Sequence, residues 1–129
     1  MAGGASNYLE NKILDHVLRA SSFSQPAALY VALYTSDPGD GDSGTEVSGG
    51  GYSRVSASFG AASNGTSSSS AAVEFPIATS SWGTIVSVGI RDASTGGNLL
   101  FYGPLTTSVT INTNETLRFP AGNLTISID

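Results

Sequence analysis

Asp37, Asp40, Asp42 and Glu46 crowd into "TSDPGDGDSGTEVSGGGYSR", residues 35–54, among glycines and just before a run with strand periodicity. Clustered carboxylates can hold a divalent cation. Calcium asks for about six to eight oxygens, which an EF-hand supplies from a loop of roughly 12 residues closed by a bidentate Glu. The spacing here does not fit: Pro38 follows the first Asp, Gly41 has the wrong offset, and no flanking helices are expected. The stretch therefore reads as a solvated loop in which Asp37-Pro38-Gly39 makes a tight turn and the later acids keep the tip soluble. No metal is expected there.

The following "SGGGYSR" has the glycine density of a phosphate cradle, but such cradles form where a strand turns into a helix whose N-terminus holds the anion. Here the glycines run into a strand. Gly49, Gly50 and Gly51 fit better as a place where a neighbouring backbone comes close and φ is above zero, a pair of demands that only glycine meets. His16 is the single histidine, so a Ser-His-Asp arrangement would have to be built on it with a loop serine as nucleophile. No G-x-S-x-G elbow is present. At the border of an apolar helix stripe, His16 is expected to be half-buried, hydrogen-bonded and structural. Trp82 could join Tyr102, Asn98 and Asp92 in a sugar platform, but a core or subunit contact is the expected role. No catalytic or cofactor-binding residue is assigned.

These residues need elements to position them. "NYLENKILDHVLRA" reads as a helix over about 7–20, with Asn7 as N-cap and Glu10 completing a capping box. Leu9, Ile13, Leu14, Val17 and Leu18 form its apolar stripe, and Asp15 pairs with Arg19 at i, i+4. A helix of about twelve residues is marginal alone in water, so the stripe must cover a sheet or a neighbouring subunit. From Pro26 on, the period changes to two. "ALYVALYT" reads as a buried strand, and "GYSRVSASF" as one whose wet face carries Tyr52, Arg54, Ser56 and Ser58. "AASNGTSSSSAA" reads as a low-complexity hinge with an Asn-Gly turn. "VEFPIAT" is demoted to an edge strand or bulge by Pro76. "GTIVSVGIRD" and "LLFYGPL" around "ASTGGN" give a hairpin signal, and "NTNE" and "PAGN" are turns between the last short strands. About seven or eight strands at roughly ten-residue spacing predict an antiparallel β-sandwich carrying one N-terminal helix, a single domain over 1–129 with the sandwich at about 27–129.

Composition narrows the function. The 129 residues contain no cysteine, which excludes disulfide scaffolds, thiolate zinc sites and thiol catalysis. Charged residues are 12% and the formal net charge is −5, whereas a nucleic-acid face needs clustered Lys and Arg. Lys12, Arg19, Arg54, Arg91 and Arg118 are scattered. No apolar run approaches the ~20 residues of a membrane span, and the N-terminus lacks a signal-peptide pattern. The chain is therefore expected to be made in a cytoplasm and not inserted in a membrane. The N-x-S/T triplets at Asn64, Asn114 and Asn123 carry no weight without secretion.

The order and spacing of "NYLENKILDHVL", "LYVALYTSDP", "EVSGGGYSR", "WGTIVSVGIRDA", "GNLLFYGPL" and "INTNETLRFPAGNLTISID" resemble a family of small virion structural proteins of tailed bacteriophages, labelled either capsid decoration (cement) proteins or tail-fibre proteins. The resemblance spans almost the whole chain, and segment 60–72 departs from it. It implies a non-enzymatic β-sandwich of the virion, made in the host bacterial cytoplasm, homo-oligomeric, without cofactor, and bound to the major capsid protein or to tail proteins. The first expectation is a cement protein that reinforces the capsid as a trimer over subunit junctions; the second is a tail or fibre component, structural or host-binding. Expected partner contacts are Leu9, Ile13 and Val17 on the helix, Asp37, Asp40, Asp42, Glu46 and Val47 in the loop, and Tyr52 and Arg54 after the glycines. The loop is expected to be ordered by a partner, its acids at the rim.

Overall fold

β-branched and aromatic residues alternate through the middle of the chain, and there the backbone is extended and laddered. The computed structural model describes residues 4–128; the ends of the expected domain, residues 1–3 and 129, lie outside the described residues. In chain order the elements are β1 (Gly4–Ala5), α1 (Asn7–Leu18), β2 (Leu29–Ser36), β3 (Thr45–Glu46), β4 (Val55–Ala57), β5 (Thr66–Ser68), β6 (Val73–Glu74), β7 (Gly83–Arg91), β8 (Leu99–Ile111), β9 (Arg118–Phe119) and β10 (Thr125–Ser127). The fold is mainly β and antiparallel with an N-terminal helix, as the sequence predicts. Ten strands are described in place of seven or eight, because several are only two or three residues long.

The main sheet has six strands in the order β1-β8-β7-β2, and the outer edge of β2 is shared by two short partners. Leu29–Val31 pair with β4 and Tyr34–Ser36 with β3. The gap between these partners falls at Leu33. Its N–H donates to the Tyr52 hydroxyl at 3.0 Å and its carbonyl accepts from Val47 N at 3.0 Å, so no backbone group of this buried residue is left open. In β8, Leu105–Ser108 bulge out against Val86 alone, since Ile85 pairs with Val109 and Ser87 with Pro104. The expected strand "LLFYGPL" thus runs on to Ile111 as one bent strand.

One sheet face packs Val31, Leu33, Ile85, Val88 and Ile90 against Val73, Phe75, Phe119 and Leu124. Each fully buried aliphatic there is worth roughly 1.5–3 kcal/mol. The opposing layer is two ribbons, β5 with β10 and β6 with β9. The serine-rich "hinge" is thus a correction: Asn64 and Gly65 take positive φ as expected of a turn, but Thr66–Ser68 continue as a strand on Thr125–Ser127. Polar residues suffice there because the ribbon needs backbone pairing more than side-chain burial.

The helix start also differs from expectation. Ser6, not Asn7, is the N-cap: its Oγ accepts from Leu9 N at 3.2 Å and donates to Leu99 O. With Ser6 as cap, Leu9 holds the N3 position, so Glu10 forms no capping box. The stripe divides along its length. Leu9 is buried on the protein's own sheet, Ile13 is half-buried, and Leu14, Val17 and Leu18 are 54, 69 and 74% exposed.

Candidate functional site

β2, β7 and β8 present a second face bearing Tyr34, Ser87, Gly89, Arg91 and Tyr102, since cross-strand partners and alternate residues share a side. Tyr34 lies over Gly89, where a Cβ would come within 2.8 Å of its ring. The acidic loop folds across this face. Ser87 Oγ donates to Asp37 Oδ1 at 2.6 Å, and the Tyr102 hydroxyl donates to Asp40. Asp42, at φ 55°, takes a bidentate pair from Arg91, each N···O distance 2.9 Å. Gly39 N donates to Asp37 Oδ2, which forms the expected Asp-Pro-Gly turn.

The fourth acid reaches a different arginine. Glu46 accepts from Arg54 Nε and Nη2, both at 2.8 Å, and from the Tyr52 hydroxyl at 2.7 Å. Arg54 Nη1 then donates to Ala93 O and Gly96 O, while Arg91 donates to Gly96 O, Gly97 O and the Tyr34 hydroxyl. Both guanidinium groups therefore close on the turn between β7 and β8, with Gly96 O as shared acceptor. Asp92 locks the same turn by accepting from Asn98 N and Nδ2.

The electrostatics follow from this geometry. Burial pushes the Glu46 carboxyl up, but the hydrogen bonds from Arg54 and Tyr52 outweigh it and hold the group below the usual carboxylate range. Asp92 is also raised by desolvation and brought net below its ordinary value by Asn98. Arg54 is raised by its bond to Glu46. For Arg91, desolvation is outweighed by Asp42 and Tyr34, so its charge is reinforced. Burial raises Tyr34 and Tyr52, and the hydrogen bond to Asp40 raises Tyr102 to about 12.

The loop expected to be solvated at its acids is therefore pinned: Asp37, Asp40 and Asp42 bond residues of the main sheet, and Glu46 bonds Tyr52 and Arg54. Tyr52 and Arg54, placed on a wet face by alternation, are half-buried residues turned inward to Glu46; the Arg54 side chain is only 7% exposed. The acids are tied to separate partners, and among the described residues no three His, Asp or Glu side chains converge as a metal site requires. Around the network, Glu46, Val47, Tyr52 and Arg54 line an open cleft of about 340 Å³ with the exposed turn at Ser94–Gly96. The structure thus brings four of the sequence-expected residues together and leaves Leu9, Ile13 and Val17 on the helix.

Gly49, Gly50 and Gly51 all have positive φ, and Gly50 O accepts from Thr79 N and from Trp82 Nε1 at 2.8 Å. This is the close backbone approach that the sequence suggests. Trp82 is buried, with Tyr52 edge-on at 5.5 Å. It lies at the far end of β7 from Asp92, some ten residues or roughly 30 Å of extended chain away, so no sugar platform forms from these residues. His16 is exposed, not half-buried; its Nδ1 accepts from Phe23 N at 3.3 Å and secures the helix exit.

Arg91, Tyr34 and Ser87 are the participants sequence reading misses. The one signal for Arg91 is a charge at the end of the apolar run "GTIVSVGIRD", where a buried cation needs an acid from elsewhere in the chain.

What this arrangement does chemically is hold a surface loop rigid, with its reactive groups paired to one another. No curated protein matches the chain. Residues 4–127 match the family described as podophage GP4 fiber I protein gp80, and with nearly the whole described fold inside that match the chain belongs to this phage fibre family.

Proposed function

We propose that the protein is a non-enzymatic structural component of a phage fibre, built from a rigid β scaffold whose pinned loop and projecting helix meet neighbouring virion proteins. The observation that carries this reading is the family match over residues 4–127. The chemistry of the surface supports it: the loop acids are internally bonded, and among the described residues no serine hydroxyl bonds His16. The exposed apolar residues of α1 and the cleft at Val47 and the Ser94–Gly96 turn offer contact area to copies of the chain or to other tail proteins. Leu9 takes no part in such a contact because it is buried in its own domain.

Cryo-electron microscopy of the intact particle tests the assignment. Density for this chain on tail appendages is expected. Density on the head lattice at subunit junctions would replace the fibre role by capsid decoration. Turnover of a glycan, ester or peptide by purified protein, lost in His16→Ala, would sink the non-enzymatic part.

A further inference from the structure

The helix α1 is fixed to the body mainly at its first turn, through Ser6, Leu9 and the bonds Ser6 N to Leu100 O and Asn7 N to Asp40 O. Beyond that turn it carries Leu14, Val17 and Leu18, an apolar ridge at the i, i+3, i+4 spacing with which helices anchor in grooves. The same chain carries such a groove. Leu29, Phe59, Ile90, Phe101, Ile126 and Ile128 line a cavity of about 270 Å³ between the main sheet and the β5–β10 ribbon. Ile128, 56% exposed, lines this groove and also the cleft of about 590 Å³ against Ile13 and Leu14.

We propose that the Leu14–Val17–Leu18 ridge of one copy of this chain seats in the Leu29–Phe59–Phe101–Ile126 groove of a second copy, and reciprocally. Two observations choose a second copy as the occupant. Ridge and groove adjoin through Ile128, so the patch contains both halves of its own complement, which is what a two-fold interface requires. Charge agrees: Glu10 and Asp15 balance Lys12 and Arg19 on the helix, and none of the groove's lining residues is charged. The contact itself therefore sets no like charges against each other, and the −5 net charge of each chain opposes association only at longer range. Reciprocal docking uses each contact twice, which doubles the area that a single ridge-in-groove contact would bury.

The pairing deepens the fibre reading and rests on it for its purpose in the particle. Its test uses purified full-length protein, so a monomer would overturn the pairing and leave the location in the virion to its own experiment. Sedimentation velocity should show a concentration-dependent dimer, strengthened by salt as repulsion between the two −5 chains is screened. Val17→Glu should weaken association on the order of 100-fold by placing an unpaired charge in the contact, with an unchanged far-UV spectrum because the site is exposed in the single chain. The chain has no cysteine, so Leu14→Cys and Ala62→Cys proteins, mixed and oxidised, should give a disulfide between unlike variants. A monomer at all concentrations, wild-type association by Val17→Glu, or cross-links only between like cysteines would overturn the proposal.

Discussion

Arg54 and Arg91 decide the shape of the loop face, and their two ion pairs differ in a way that can be measured. Glu46 is 24% and Asp42 35% exposed at the side chain, with their arginines nearly covered. Removing one partner of a covered pair strands the other charge, which costs more than the pair itself contributes. Glu46→Gln should therefore destabilise the protein by about 2–3 kcal/mol. Asp42→Asn should cost less, about 1–2 kcal/mol, because water partly screens that pair; Asn also tolerates the positive φ at this position, so the loss reports the ion pair alone. Urea denaturation of both variants checks the order. The pH dependence has a fixed sign. The folded-state values of Glu46 and Asp92 are depressed, so their contribution is present above the ordinary carboxylate range, about 4, and is lost as pH falls through it and below. Melting temperature measured from neutral to acid pH should drop in that window, less steeply in Glu46→Gln. The four acids were visible in the sequence, but the partners of three were not: Ser87, Arg91 and Tyr102 reach the loop only through β-pairing across 49 to 62 residues.

Elements end where particular atoms stop them, and two such stops carry predictions. Ser6 joins helix and sheet with one hydroxyl, capping Leu9 N and donating to Leu99 O. Ser6→Ala should cost about 1–2 kcal/mol and raise hydrogen exchange in α1 before the sheet, since the first turn is the helix's main anchor. Gly50 holds φ +59° with Ser80 O 2.8 Å from where a Cβ would stand. Gly50→Ala should cost roughly 2 kcal/mol or more through positive-φ strain and crowding and should shift Trp82 emission, because Gly50 O is the indole's acceptor. The glycines, the β7–β8 hairpin and the helix itself were legible because local chemistry dictates them. The N-cap slipped by one because Ser6 and Asn7 are equally good caps, and β8, not α1, chose between them. The serine strand β5 was illegible because nothing in its composition favours a strand over a loop; the pairing with β10 supplies the reason.

At the scale of the molecule, one question is whether the β6–β9 ribbon and the loop face fold with the main sheet as a single cooperative unit, which the sequence suggests by length alone. The packing supports it. Phe119 of β9 meets Phe75, the residue after β6, edge to face at 6.4 Å, and Tyr52 stacks on Phe75 at 6.2 Å while donating to Glu46. Tyr52 also satisfies Leu33 N in the middle of β2. The core, the ribbon and the loop network therefore share one residue, and none can open without breaking the others' contacts. Trp82, the single tryptophan, reports the region where Tyr52 and Gly50 meet, whereas far-UV circular dichroism reports strands throughout. For a unit coupled in this way the two probes should give the same urea midpoint. Tyr52→Phe keeps the ring packing but leaves Leu33 N and Glu46 each short of a partner, and should lower that common midpoint without separating the probes. A Trp82 transition well below the ellipticity transition would mean that the loop and its ribbon melt first and that the protein is two cooperative units.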